Sequence, residues 1–350
     1  MTVRLIVGTM EGGFVVESDA ARRSWTIGEP IFKGWKLTAI RRLASGEFLA
    51  ATASDVYGPA LHRSRDLVEW SQVVHGPAWP EGSDRRLKQI WSLHEVAGRL
   101  LAGVDDAGLF ESTDGGETWG PVAGLNEHPT RAGWFPGFGG MCCHSILADE
   151  AGGRLWSGIS AVGVFRSEDG GASWAAKNEG VPVVIEDEHH KDIGYCVHAL
   201  VADPDDPNRI WRRDHRGMFR TLNGGDTWET IEQGLPSTFG FPLVLDAKTK
   251  TLYCFPLESD MVRLPVGGRF EVYRSTDGGD SWHSASAGLP EEHAYMGVLR
   301  QAMAVDELDP CGVYVGTTAG TLHVSNDGAD SWQTLPCHLP RILCVEAFEA

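Results

Sequence analysis

The chain has 350 residues, of which 42% are hydrophobic and 22% charged, with a formal net charge of −18 and an isoelectric point near 5.1. That acidity argues against nucleic acid or an anionic membrane surface as partner, and no run of about 18 apolar residues marks a spanning helix. The seven cysteines (Cys142, Cys143, Cys196, Cys254, Cys311, Cys337 and Cys344) form an odd set without C-x-x-C spacing, mostly inside apolar runs. Reduced core thiols in a cytoplasmic protein are the expectation.

In chain order, Met1-Thr2 leads straight into VRLIVGT and GGFVVES, with no basic and apolar stretches of a signal segment. These two runs read as the second and third strands of a unit whose first strand is missing. An octapeptide then recurs. SDAARRSW ends at Trp25 and SRDLVEW at Trp70; closer copies are STDGGETW (112–119), SEDGGASW (167–174), TLNGGDTW (221–228), STDGGDSW (275–282) and SNDGADSW (325–332). The closing tryptophans are spaced by 45, 49, 55, 54, 54 and 50 residues, a period that signals a radial or solenoid repeat.

Each unit reads alike. Around Trp119 it runs QIWSLHEV, RLLAGVD, LFESTD and TWGPVAG, four short β-rich runs separated by Gly, Asp and Ser, which predicts a four-stranded antiparallel meander. Such units of about 40–50 residues are the blades of a β-propeller. Seven tryptophans predict seven blades in a single domain spanning 1–350. RILCVEAF (341–348) is an inner strand with nothing after it; it is expected to complete the first blade, close the ring and remove free edges.

The octapeptide resembles the Asp-box, or BNR repeat, of sialidase-type propellers, a family that also includes xyloglucanases, sortilin-type receptors and a photosystem II assembly factor. The resemblance covers nearly the whole chain and implies an all-β fold of four-stranded antiparallel blades. It does not choose among enzyme, receptor and assembly factor. The box itself reads as structural: Asp114, Asp169, Asp277 and Asp327 accept from turn amides, Asn223 keeps an acceptor in the fifth copy, and the glycines supply positive φ. The tryptophans are expected between neighbouring sheets.

Function is therefore sought on the face opposite the boxes, among the turns after the second strands and the blade-to-blade connectors. Two connectors, 120–140 and 178–195, are long and chemically varied, and 257–269 is an expanded turn. His144 in CCHSILAD and His198 in YCVHALVAD each stand five residues before an Asp; the equivalent positions in the next two units hold Phe241 and Gln301, and a looser alignment gives Gln89. His144 and His198, with His189, form the predicted metal set for a divalent ion. Some propeller-type lyases of pectate products are similar in using His and Gln around a metal. The alternative is two histidines bonded to backbone or water in a polar channel.

Acid/base candidates are His198, His190, Asp192, Tyr195, Asp214 and His215, imidazole being suited to either role near neutral pH. Other carboxylates on that face are Glu11, Asp55, Asp105, Asp106, Glu258, Asp260, Glu186, Asp187 and Glu188, many of which turn chemistry explains as well. Ligand-binding candidates are Trp134, Lys191, Lys88, Arg300, Gln301, Arg341 and Tyr295; Trp35, Trp91 and Phe135 offer further stacking surfaces. The sialidase resemblance implies an arginine triad, a Tyr–Glu nucleophile pair and an Asp acid/base. Here Arg86, Arg131, Arg300 and Arg341, with Tyr57, Tyr195 and Tyr295, are the residues available, and the family's Arg-Ile-Pro signature is absent. Two functions are expected: a hydrolase or lyase acting on a small glycan-like or polar substrate at the channel mouth, assisted by a metal, or a non-catalytic propeller binding a ligand or a protein partner.

Overall fold

The structure, a computed structural model, describes residues 2–137 and 140–349; Phe138 and Gly139, within the connector 120–140, lie outside the described residues. Among those residues, helix is confined to the four-residue Ala123–Asn126 and two 3-10 turns, Arg131–Gly133 and Val266–Gly268. The rest of the regular structure is β. Five four-stranded antiparallel sheets follow the predicted units, for example Gln89–Val96, Arg99–Asp105, Gly108–Ser112 and Gly120–Pro121 in that order. Register in this sheet pairs Ile90 with Val104 and Phe110 with Ala102.

The N-terminal sheet differs from expectation. Val3–Thr9, Gly12–Ser18 and Trp25–Ile27 pair antiparallel, and Ile342–Glu349 pairs antiparallel with Val3–Thr9, Val7 opposite Val345. The next meander, from Lys36–Arg42 to Ser71–Gln72, was expected as a separate blade. It joins the first in one eight-stranded sheet through a single parallel pair, Gly12 with Lys36. Gly12 has φ +133, and a Cβ there would come within 2.7 Å of the Ile31 carbonyl, so only glycine permits that approach.

Strand burial follows position. Second strands such as Phe48–Ser54 and Thr251–Pro256 are apolar almost throughout because they are covered on both faces. Outer strands shrink to two exposed residues, as at Ser71–Gln72, His283–Ser284 and Gln333–Thr334, which leaves little free edge to template aggregation.

The chain packs as two compact units, Met1–Leu37 with Arg212–Arg220 and Thr230–Ala350, and Thr38–Trp211 with Thr221–Glu229. The core of the first gathers Leu5, Val7, Phe241, Phe255, Phe270, Val315 and Ile342. The second holds two clusters, one around Leu109, Ile146, Leu155 and Phe165, the other around Leu49, Leu61, Ile90 and Phe110.

The octapeptide forms the turn between third and fourth strands, and its Ser and Asp side chains bond the amides of their own turn. Ser112 Oγ donates to Asp114 Oδ1 (2.7 Å) and accepts from Gly116 N (2.9 Å), while Asp114 Oδ1 accepts from the amides of Glu117 and Thr118 (both 3.0 Å). Bonds from Thr118 hold the Asp114 carboxyl well below the usual carboxylate range. Asn223 reproduces the pattern, accepting from Thr227 N (3.0 Å) and donating to Thr227 Oγ1 (2.9 Å). The tryptophans divide into two kinds. The indoles of Trp119 and Trp174 donate back to Gly116 and Gly171 of their own boxes (3.1 and 3.0 Å). Those of Trp228, Trp282 and Trp332 reach the preceding sheet, at the carbonyls of Lys177, Ile231 and Ala285 (2.9, 2.9 and 2.8 Å). Only the second kind hydrogen-bonds through its indole to the preceding sheet; Trp174 and Trp119 meet it by packing, in the clusters of Leu109 and of Leu49 and Leu61.

Candidate functional site

In the unit built on Thr38–Trp211, chemistry collects at the turn after Arg99–Asp105. The strand ends on two carboxylates, Asp105 and Asp106. Lys88, just before the neighbouring strand, donates its backbone N–H to Asp105 O (2.8 Å) and so brings its ammonium over the turn. Lys88 Nζ lies 2.6 Å from Asp106 Oδ1 and 3.9 Å from Asp105 Oδ1. Asp105 Oδ1 is shut off from solvent and has no hydrogen-bond partner among the described residues. Burial pushes the Asp105 carboxyl up to about 6 against the opposing pull of Lys88. Bonding to Asp106 in turn raises the Lys88 ammonium above its ordinary value.

The following connector closes over this turn. Arg131 Nη1 donates to the carbonyl of Ala107, and the guanidinium lies 4.6 Å from the Trp134 ring centroid. Burial, with the charge of Arg85 added, lowers Arg131 to about 10. Arg85 stacks 4.9 Å over Trp79 and pairs with Glu127 (3.0 Å). A cleft of about 360 Å3 is lined by Trp79, Ser83, Asp84, Arg85 and Glu127 among others.

Several expected ligands are committed elsewhere. Trp134, expected to stack on a ligand, is 8% exposed; its indole N–H donates to Thr130 Oγ1 (2.9 Å) and Phe165 packs at 5.3 Å, so it is a core residue. His144, expected on a metal, is buried with Nε2 2.8 Å from Val197 O and 2.9 Å from Ser160 Oγ. A carbonyl only accepts, so the proton is fixed on Nε2 and that atom cannot ligate. Among the described residues, neither His144 nor His189 belongs to a group of three metal-ligating side chains. His198 is buried, with Nε2 3.7 Å from Cys196 Sγ.

In connector 178–195, Asp187 Oδ1 accepts from the amides of His189 and His190 (2.8 and 2.7 Å), and the loop ends close where Ile185 N donates to Gly194 O (2.9 Å). Lys191 and Asp192 are exposed. They contribute main chain, Lys191 O accepting from Tyr195 Oη (3.4 Å) and Asp192 O from Asn178 Nδ2 (3.0 Å).

In the other unit, Asp214 was expected as an acid or base. It is fully buried, ion-paired with Arg212 (Nε to Oδ2 2.9 Å), and accepts from Arg216 N (3.0 Å), which makes it a structural carboxylate. His215 behaves differently: its Nε2 lies 3.1 Å from Asp260 Oδ2, near the surface, and its ring meets Phe239 edge-on at 5.4 Å. Phe239 packs on Phe241 (5.3 Å), whose ring carries Arg300 at 4.7 Å and Arg263 at 5.5 Å. Gln301 and Arg341 lend carbonyls, to Val345 N (2.7 Å) and Met10 N (3.0 Å), and Tyr295 is exposed.

From sequence, Asp105 ranks with ordinary turn carboxylates and Arg131 with the four arginines available for a triad. The signal available was the adjacent acidic doublet Asp105-Asp106, which no other second-strand turn carries. The approach of Gly140 and Cys142 to Asp105 had no sequence signature.

No protein-family model matches the chain. Among curated proteins it is 24% identical over 229 residues to the photosystem II assembly lipoprotein Ycf48 of Synechococcus sp. (strain CC9902), covering 65% of this chain and 56% of that protein. It is also 24% identical over 278 residues to a xyloglucanase of a Paenibacillus species, covering 71% of this chain and 25% of that protein. The chain thus spans about half the length of the first relative and a quarter of the second. Among solved structures, YCF48 bound to D1 peptide matches with a TM-score of 0.54 at 13% identity, over 92% of this chain and 95% of that one. The likeness is one of fold: the chain is all-β, and its four-stranded antiparallel sheets match those of β-propeller proteins.

Proposed function

We propose that this chain is an Asp-box propeller enzyme, a hydrolase or lyase that acts on a small polar, carbohydrate-like substrate with Asp105 moving the proton. The observation that carries this reading is the Asp105 carboxyl, half-shielded at a strand end, with an unpartnered oxygen and protonation pushed up to about 6. A group that titrates near neutrality can give and take a proton in one cycle, which an ordinary surface aspartate cannot. Asp106, held on Lys88, stands beside it as a fixed anion. The 24% identity to a xyloglucanase supports a carbohydrate-like substrate. The Trp period and the pairing of Ile342–Glu349 with Val3–Thr9 support seven blades with the first completed by the last strand, in one domain. Seven free thiols support a reducing, cytoplasmic setting.

The test is turnover. The purified chain is incubated with xyloglucan, oligogalacturonate and p-nitrophenyl glycosides, following reducing ends and unsaturated products. Turnover with an apparent pKa near 6, lost in Asp105→Asn, is the expected result. Turnover unchanged in Asp105→Asn, or none on any substrate, overturns it.

A second reading has its own observation. In the turn 257–269, Met261, Val262 and Leu264 are exposed, and Tyr295 is 63% exposed. Exposed apolar residues of this kind suit a partner surface, and the chain matches nearly the whole length of a relative whose structure holds a bound peptide. Capture of one protein partner, abolished by Met261→Asp and unaffected by Asp105→Asn, would favour this binding role.

A further inference from the structure

No other described side chain leaves as many buried polar atoms unmatched as Arg213. Its Nε, Nη1 and Nη2 all lack a hydrogen-bond partner, in a residue that is 0% exposed. It lies on Asp206–Asp214, four residues before the turn glycine Gly217. The residues four before Gly12, Gly108 and Gly163 are Gly8, Val104 and Ile159, so this strand sets a charge where its counterparts set an aliphatic side chain or none. Arg212 takes the Asp214 carboxylate at the strand end (2.9 Å). Glu232 attracts Arg213 through space, but its Oε1 accepts from Met218 N (3.2 Å). Arginine cannot shed its proton to escape burial, and a guanidinium withdrawn from water without a paired anion strongly opposes folding.

The surroundings supply donors and apolar walls. Cys254, also 0% exposed, places its thiol within reach of the guanidinium. Burial pushes that thiol up to about 11, so it stands as S–H. Thiol sulfur is a weak acceptor and its S–H a donor, so Cys254 does not neutralise Arg213. Gly240 opens the next strand, where a Cβ would come within 2.3 Å of Arg213 Nη2 and 2.4 Å of the Phe255 carbonyl; the strand accommodates the guanidinium by having no side chain there. Phe239, Phe241 and Phe255, all buried, flank Gly240 and Cys254 in the chain. Donors in an apolar shell suit an anion that gives up its water easily, and one charge is less unfavourable to bury than two.

We propose that Arg213, with the Cys254 thiol beside it, forms a buried site for a small monovalent anion of the chloride type, held as a structural counter-ion and not as a substrate. The unmatched N–H groups donate to the anion, and the folded chain binds it where the unfolded chain does not. The inference does not depend on the proposed reaction at Asp105.

The experiment is urea unfolding of the full chain in sodium chloride and in sodium fluoride at equal ionic strength, with chlorine NMR line widths as a direct reading of binding. Fluoride has the same charge but holds its water more tightly, and strongly hydrated salts favour the folded state in general. Greater stability in chloride therefore runs against the general salt order and marks a site. Once the site is mostly filled, the folding equilibrium constant should rise about tenfold for each tenfold in chloride. Arg213→Met should lose both the chloride dependence and the line broadening, and in fluoride it should fold at least as well as the wild type, because an apolar side chain replaces an unpaired buried charge. Arg213→Lys, which keeps the charge, should retain a weaker chloride dependence and serves if the Met variant does not fold. Cys254→Ala should weaken chloride binding without abolishing it. Equal stability in the two salts without line broadening would overturn the proposal, as would a chloride dependence that survives in Arg213→Met. A thiolate absorbance at neutral pH that disappears in Cys254→Ala would also overturn it, by showing that Cys254 is itself the counter-ion.

Discussion

Replacing Asp105 by Asn should make the protein more stable and less active, and the size of the gain depends on pH. In the unfolded chain the carboxyl titrates at its ordinary value of 3.8; in the fold burial holds it at about 6. The folded state therefore binds the proton more tightly, and between those values it carries a proton that the unfolded chain has released. Native stability from this group is complete below pH 3.8 and is lost as pH rises through 6. By pH 7.5 the loss reaches roughly 3 kcal/mol, and at pH 5 it is about half that. The side chain is 17% exposed, so solvent screening trims these figures without removing them. Asn has no charge to desolvate and is nearly isosteric, so urea unfolding should show Asp105→Asn more stable than wild type by about 2–3 kcal/mol at pH 7.5, about 1–2 at pH 5 and near zero at pH 3.8. A variant that is equally or less stable at pH 7.5, or whose advantage is the same at pH 5, would refute the claim that Asp105 is held against its own ionisation. Stability gained together with activity lost is the pattern of a site strained for function.

Two imidazoles, one buried and one half-buried, act in the opposite sense. His94 and His323 are lowered to about 4, in both cases chiefly by burial, so they add stability above pH 6.5 that is lost as pH falls toward 4; His323→Gln should flatten acid unfolding between those limits, measured by urea midpoints across pH. Ser275→Ala removes the donor to Asp277 Oδ1 (2.7 Å) and the acceptor for Gly279 N (2.8 Å), and should cost about 1–3 kcal/mol in chemical denaturation, the amount for leaving a buried amide unsatisfied. Trp282 is 1% exposed and bonded to Ile231 O; Trp282→Ala should cost about 3–5 kcal/mol. Gly234→Ala should also destabilise, because φ is +95 and the new Cβ would stand 2.2 Å from Trp282 O; melting that matches wild type would contradict the close packing seen there.

The repeat was legible because Trp and the Ser-x-Asp-Gly-Gly turn recur with fixed local geometry: Ser112 finds Asp114 two residues away whatever the rest of the chain does. The joining of the first two meanders through Gly12 and Lys36 was not, since it depends on one residue pair whose register no pattern encodes. At the candidate site, Lys88 stands over the turn 105–107 and His215 meets Asp260 near the surface, while other expected residues are held by partners that spacing does not show. His144 looks like a ligand until Val197 O is seen to hold its Nε2. Asp214 looks like a turn acid until Arg212, two residues earlier on the same side of the strand, claims it. Asp105 became interesting only through burial by a distant connector, which alternation and spacing cannot report.

The octapeptide turn bears on how this protein is made. The bonds made by the Ser and Asp side chains of the loop span no more than four residues of chain, so the turn can begin to close as soon as it leaves the ribosome, before any flanking strand has a sheet to join. Contacts of such short sequence separation form quickly. Each copy then presets the hairpin of its third and fourth strands and holds them in register while later segments are still being synthesised. The slow work left to the chain is the pairing of Ile342–Glu349 with Val3–Thr9, more than three hundred residues apart in sequence, which cannot begin until residues 342–349 have been synthesised.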